Sequence, residues 1–333
     1  MLKHISPNGF FFYPTIISAA LILGVWYVSG VGAFLTALML VLLEVTLSFD
    51  NAVVNAKILK HMSPIWQKRF LTWGIAIAVV GTRIVLPILI VSAVSLLSPF
   101  LVAYMAVTNP SEYSHLLESA HHAIAAFGAA FLFMVSLKYF FDETKSIHWI
   151  RGIEKKLSKW GNIEALELAF VLLMLVGVSS FVPGEQATIL TAGIIGIVLF
   201  VFMEGMTHGM SSNTAKHVGG GFGTFMYLNA LDSAFSLDGV VGAFAITTDL
   251  MTIAVGLGIG AYFVRAMTVY LVREGTLTAL PYLEHGAHWA IFGLAGSMAL
   301  SLVTHVPEAV TAGIGIVFIG ASYMSSLEER ARA

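Results

Sequence analysis

Glu44–Asn51 reads EVTLSFDN inside a long apolar run, and Asp232–Gly239 reads DSAFSLDG inside another. Each octad places an acid, a serine four residues on and an aspartate two further, and every matching pair lies 188 residues apart. A charged side chain at mid-bilayer costs about 2.5–3.5 kcal/mol even on lenient scales. Four such carboxylates in apolar runs therefore demand a reason. An acid motif returning once per half is the layout of a membrane protein whose two repeats meet around one polar site.

The rest of the chain fits that frame. It is 58% hydrophobic and 11% charged, with a mean hydropathy of +0.87, well outside the range of soluble domains. Its 333 residues suffice for about ten helices of about 20 residues each. Apolar runs predict spans near 13–30, 32–57, 70–97, 121–141, 164–182, 187–206, 222–246, 249–272, 287–304 and 308–325. The first is read as an uncleaved span, since the cleavage pattern after it is weak. Among the connections, Lys and Arg fall only in alternate ones, as Lys3, then Lys57, Lys60, Lys68 and Arg69, then Lys145 to Lys159, then Lys216, then Arg273, then Arg330 and Arg332. The intervening loops around 31, 98–120, 183–186, 247 and 305 have none. This segregation predicts both termini in the cytoplasm.

The expected fold is thus an all-α membrane protein of about ten transmembrane helices in two inverted five-helix repeats. Residues 1–163 form the first half, ending in a basic cytoplasmic segment over 142–163, and 164–333 form helix five and the second half of one membrane domain. An odd repeat unit enters the membrane upside down the second time, giving a pseudo-twofold axis in its plane. Two echoes support duplication. Glu118 and His122 stand four apart where the fourth helix begins, as Glu284 and His288 do at the ninth. Arg83 and Arg265 each lie in the helix after a motif helix.

Residues i, i+4 and i+7 share a helix face. Glu44, Ser48 and Asn51 form one stripe and Asp232, Ser236 and Gly239 the other, with Asp50 and Asp238 about 120° around each regular helix. Local unwinding at the Ser/Asp pairs would let all four acids converge. Glu44, Asp50, Asp232 and Asp238, with Ser48, Asn51 and Ser236 as neutral oxygens, make a hard donor set suited to Mn²⁺, Mg²⁺ or Ca²⁺. Four carboxylates in low dielectric need cations or protons. Arg83 and Arg265 supply charge compensation, either as tethered cations replacing a metal or as structural ion pairs. Glu118/His122 and Glu284/His288 are expected at a vestibule or proton relay, one pair on each side of the membrane.

At these residues the chain resembles the TerC family of bacterial integral membrane proteins. Glu44, Leu47, Ser48, Asp50 and Asn51 match its E-x-x-L-S-x-D-N pattern, and Asp232, Phe235, Ser236 and Asp238 its D-x-x-F-S-x-D-S pattern, with Gly239 departing at the last serine. YLEHGAH, Tyr282–His288, is similar to one branch of that group. The resemblance implies a LysE-like transporter of a bacterial inner membrane exporting manganese or a similar divalent cation, with links to tellurite stress and to metal loading of exported proteins. The cation is cargo, and no prosthetic group is expected.

Other readings are weaker. An intramembrane metalloenzyme built on the Glu/His pairs lacks the HExxH signature, and short loops leave a stress-response or secretion scaffold little surface beyond 98–120 and 142–163. GGGFG at 219–223 lacks the Lys-Ser/Thr end of a phosphate loop. Absent cysteine removes disulfides and thiolate metal sites. The basic stretch at 145–159 suits anionic lipid, not nucleic acid. Glu204, near Met203, Met206 and Met210, is a candidate gate on the cytoplasmic side. Glu164 and Glu167 read as interfacial acids, and His121, His208 and His217 carry no assignment. Small residues such as Gly24, Gly30, Gly74 and Gly81 permit close helix contacts, internal or between two copies.

Overall fold

The computed structural model is helical throughout, with no strand among the described residues, 7–163, 165–212 and 221–332. The side chains of 7–10, 71, 207–212, 238, 245, 277, 278 and 308 lie outside that description, as do Glu164, Lys216, His217 and the side chains of Asp238 and His208 among the sequence expectations.

The first motif joins α1 (Pro7–Leu47) to α2 (Phe49–Lys60). Next come α3 (Pro64–Ala76), a π-helical segment (Ile77–Val85) and α4 (Leu86–Ser95). Two short helices, α5 (Pro99–Thr108) and α6 (Pro110–Ser119), lead to α7 (His121–Phe141). Proline in the first turn opens α3, α5 and α6, where its missing N–H costs nothing. The amphipathic α8 (Arg151–Lys159) is followed by α9 (Leu166–Ser180) and α10 (Gln186–Ser212). The second motif lies within α11 (Phe222–Ile246), and α12 (Leu250–Arg273) begins at Asp249, whose carboxylate accepts from the Met251 amide at 3.2 Å. The chain closes with α13 (Thr276–Ala279), α14 (Leu283–Ser301) and α15 (Glu308–Arg332).

Helix α1 is two passes joined at one residue. Gly30 has φ +84°, outside helical space and in a region that favours glycine. Phe11 meets the Tyr270 ring at 5.9 Å, while Leu40 and Glu44 lie against Gly256 and Gly260. On a straight helix Phe11 and Glu44 would stand about 50 Å apart, yet Tyr270 and Gly260 are only about 15 Å apart along α12. The chain must therefore double back at Gly30. The glycines of GLGIG, Gly256–Gly260, let the second pass approach: a β-carbon on Gly260 would collide with Glu44 Cβ and Cγ, and one on Gly256 with Leu40 Cβ. Small residues spaced by four are how apolar helices bring backbones together.

Among the described residues six helices are long and apolar enough to cross a membrane, or seven if α8 and α9, bent by 107°, count as one span. The protein is a multi-pass membrane protein. The count falls below ten because α1 counts once, while α11 and α14, helices where spans were expected, carry polar side chains buried within the bundle. Helix α7 is buried almost all round, between α10 and α14. Its Gly128 is filled by the Met298 methyl of α14.

Candidate functional site

The two motifs face each other across the α1–α2 and α11 helices. Asn51 Nδ2 donates to Asp232 Oδ1 at 2.8 Å, joining the first motif to the second in the core. Glu44 lies against Gly239, where a β-carbon would stand 3.1 Å from Oε2. Leu59 of α2 clusters with Phe225 and Leu228 of α11. As one helix runs 44, 51, 59, the other runs 239, 232, 228, so the pair is antiparallel. Glu44, Ser48, Asp50, Asn51, Asp232 and Ser236 are all buried.

Each leading acid is held by the arginine of the following helix in its own half. Arg83 pairs with Glu44, and Arg265 Nη2 with Asp232 Oδ2 at 3.2 Å. Both arginines are buried, and a buried charge at this depth persists only when paired. Arg83 rides on the π-helical segment, a distortion that often marks functional positions. Its guanidinium also donates to the Ala78 carbonyl and, at 3.3 Å, to Thr82 Oγ1. Pro87, one turn on, has no N–H to offer the Arg83 carbonyl. Arg265 lies over the Phe70 ring at 3.7 Å and donates to the Gly74 carbonyl at 3.3 Å.

Unwinding is slight and one-sided. Ser48 leaves helical geometry at φ −101°, ψ 12°, yet the ladder bonds Ser48 N to Glu44 O and Ala52 N to Ser48 O survive at 3.0 and 3.1 Å. In the second half α11 runs unbroken through its motif. Ser48 donates to Glu44 Oε1 at 3.1 Å. Asp50 accepts the Asn51 backbone N–H at 2.8 Å and has no cationic partner among the described residues. Among the described residues no three His, Asp or Glu groups converge closely enough to hold a metal. With Glu44 and Asp232 tied to arginines, this arrangement is charge-compensated at those two acids and uncompensated at Asp50.

A cavity of about 540 Å³ opens at the end of the bundle that carries the lysines. Val54, Lys57 and His61 of α2 line it, and they continue the Asp50 stripe of the same helix. Lys138 of α7 pairs there with Glu204 at 3.1 Å and Glu167 at 3.7 Å. His288 also lines the cavity, stacked on Tyr139 at 3.6 Å, with Nδ1 against the Glu284 carbonyl at 2.9 Å. The Glu284 carboxylate pairs with Lys57 instead. Glu118 and His122 do not share a helix: Glu118 is exposed near the end of α6, and His122 is half-buried at the start of α7, beyond a break at Ala120.

The string YLEHGAH has a further task. His285 Nδ1 meets Glu154 Oε2 at 2.7 Å, and Trp289 Nε1 donates to Glu154 Oε1 at 2.9 Å. Backbone N–H groups of Trp149 and Ile150 complete the cradle at 3.1 and 3.3 Å. Burial alone would push the Glu154 carboxyl up, but hydrogen bonds from His285, Trp289 and Ile150 hold it at about 2. Nearby, burial brings the Lys145 amine down to about 8 against the pull of Glu154, Asp142 and Glu284. This cradle clamps α8 beneath α14 and leaves Arg151, Lys155, Lys156, Lys159 and Trp160 exposed.

Sequence reading missed Asn55, Asn229, Gly260 and the Glu154–His285 contact. The GLGIG spacing was a legible signal for Gly260. A pairing across 131 residues had none. No curated protein and no solved structure matches the chain. The profile of DUF475, a family described as of unknown function, matches residues 49–333, including Asp50, Asn51, both arginines and the whole second motif but beginning after Glu44 and Ser48. Over most of its length, then, the chain belongs to the DUF475 family.

Proposed function

We propose that this protein is a secondary transporter, not an enzyme, that exports Mn²⁺ or a similar hard divalent cation across a bacterial inner membrane in exchange for protons. The observation that carries this reading is Asp50: a buried carboxylate with no cationic partner among the described residues, one residue from the Asn51–Asp232 bridge. Such a group requires a cation or a proton, and alternation between the two is exchange. Glu44, Asp232 and Asp238 join Asp50 around the ion, with Ser48, Asn51 and Ser236 as neutral oxygens. Arg83 and Arg265 hold Glu44 and Asp232 when the metal is away.

The paired acid–arginine contacts, one per half, support two inverted five-helix repeats rocking about this site. On the same reading the lysine-rich end is cytoplasmic, with both termini there, and the cavity beside Lys57 and His288 is the inner vestibule. The TerC resemblance supports manganese and the tellurite link. A metalloenzyme built on the Glu/His pairs finds less support, because Glu284 is engaged by Lys57 and Glu118 is exposed.

The test is Mn²⁺ flux in proteoliposomes with internal pH monitored, wild type against Asp50→Asn. Wild type should move Mn²⁺ with an opposing proton signal, and the variant should lose both while folding normally. Unchanged Mn²⁺ flux in Asp50→Asn would remove the site.

A further inference from the structure

Three amide oxygens in the middle of the bundle have nothing to accept. Asn51 Oδ1, Asn55 Oδ1 and Asn229 Oδ1 are buried without a hydrogen-bond donor among the described residues, and Asn55 Nδ2 is unpartnered too. All three side chains are at least nine-tenths buried, Asn55 completely. Two have fixed orientations, because Asn51 Nδ2 is held by Asp232 and Asn229 Nδ2 by the Phe225 carbonyl at 2.6 Å. Their bare groups are therefore acceptors. A buried polar group left unmatched is destabilising, and native cores leave few of them.

The antiparallel register brings these oxygens to one place. Asn55 follows Asn51 by one turn on the same face of α2, and Asn229 precedes Asp232 by one turn on the same face of α11. Since Asn51 bonds Asp232, Asn55 and Asn229 stand level with each other, about 5–6 Å toward the lysine-rich end. One turn further, Leu59, Met62, Phe70, Phe225 and Leu228 pack into an apolar plug. The bare amides thus form a polar layer between the acid pair and that plug.

The chemistry of this layer selects its occupant. Its donors are neutral carbonyl oxygens, and the adjoining Asp232 is already neutralised by Arg265. A divalent ion needs anionic ligands to offset its dehydration, and here those lie at Asp50. Neutral carbonyl oxygens suit a small monovalent cation, as they do where unwound backbone binds Na⁺ in other transporters. We propose that Asn51, Asn55 and Asn229 form a second cation site, selective for a small monovalent cation, with Na⁺ as the probe. Binding there stands on the amides alone; a coupling role in metal export rests on the function proposed above.

The test uses the full chain in detergent micelles with no Mn²⁺ present, unfolded thermally in NaCl or in choline chloride at equal ionic strength. Ligand that binds only the folded state raises the unfolding midpoint by mass action. The expected result is a rise that saturates with Na⁺ and is absent with choline. Asn55→Leu and Asn229→Leu, which remove bare polar atoms at similar volume, should fold and lose the Na⁺-dependent rise. Equal midpoints for wild type in the two salts would overturn the site and leave water as the occupant, and a full Na⁺ response in Asn55→Leu would overturn it as well. A Na⁺ response in a protein that moves no Mn²⁺ would sink the proposed transport and keep this site; Mn²⁺ flux with no Na⁺ response does the reverse.

Discussion

The two halves solve one electrostatic problem with different backbones. Glu44 and Asp232 are each matched by an arginine from the next helix, at sequence separations of 39 and 33. The first half reaches its pair through an interruption at Ser48 and a nine-residue π-helical segment. The second reaches it on the regular helices α11 and α12. Distortion is therefore not needed to place an arginine beside an acid. In the first half it accompanies two contacts of one motif, Asn51 on Asp232 of α11 and Glu44 against Gly239 and Gly260.

Removing the arginines breaks the comparison most severely. Arg83→Ala and Arg265→Ala should each destabilise the fold by about 3–5 kcal/mol, the cost of stranding a buried charge. Chemical unfolding in micelles measures it. If the halves are equivalent, the two losses should agree, and Glu44→Gln with Arg83→Gln together should recover most of the first.

The connection between the last two helices of each half supplies the next contrast. In the second half it is short, residues 302–307 between α14 and α15. In the first it includes α8, clamped by Glu154. Glu154→Ala should cost about 1.5–3 kcal/mol through the lost charged hydrogen bonds and shift the fluorescence of Trp149 and Trp289. The Glu154 carboxyl titrates at about 2, below its ordinary value. Its contribution is fully present above the ordinary carboxylate range and disappears as pH falls through about 2. Between pH 5 and 8 it should be constant.

Smaller changes sharpen the glycine contrast. Gly260→Ala puts a methyl group into Glu44 Cβ and Cγ and should cost about 1–3 kcal/mol by overpacking. Gly239→Ser meets only the Glu44 carboxylate end at 3.1 Å. That end can shift and accept from the new hydroxyl, so the stability change should stay within about 1 kcal/mol. A loss as large as that for Gly260→Ala would mean Glu44 is fixed from both sides.

Much of this was legible in the order of residues. Apolar runs located the helices because a bilayer accepts backbone only when its hydrogen bonds close internally. The acids stood out because charge in such a run is costly, and the arginines followed from the same cost. At Glu284 and His288, i,i+4 spacing states proximity on a helix but not what neighbouring helices insert. Lys57 and Tyr139 took their side chains.

What the sequence alone determined is the helical, multi-pass character and which polar groups are buried at a cost, because both follow from local composition. Tertiary structure decided which groups meet. That Asn51 bonds Asp232, that Gly239 and Gly260 make room for Glu44, and that three buried amide oxygens are left without a donor among the described residues all depend on how distant helices pack. Register is a property of packing, set by side-chain shape across an interface that no single segment encodes.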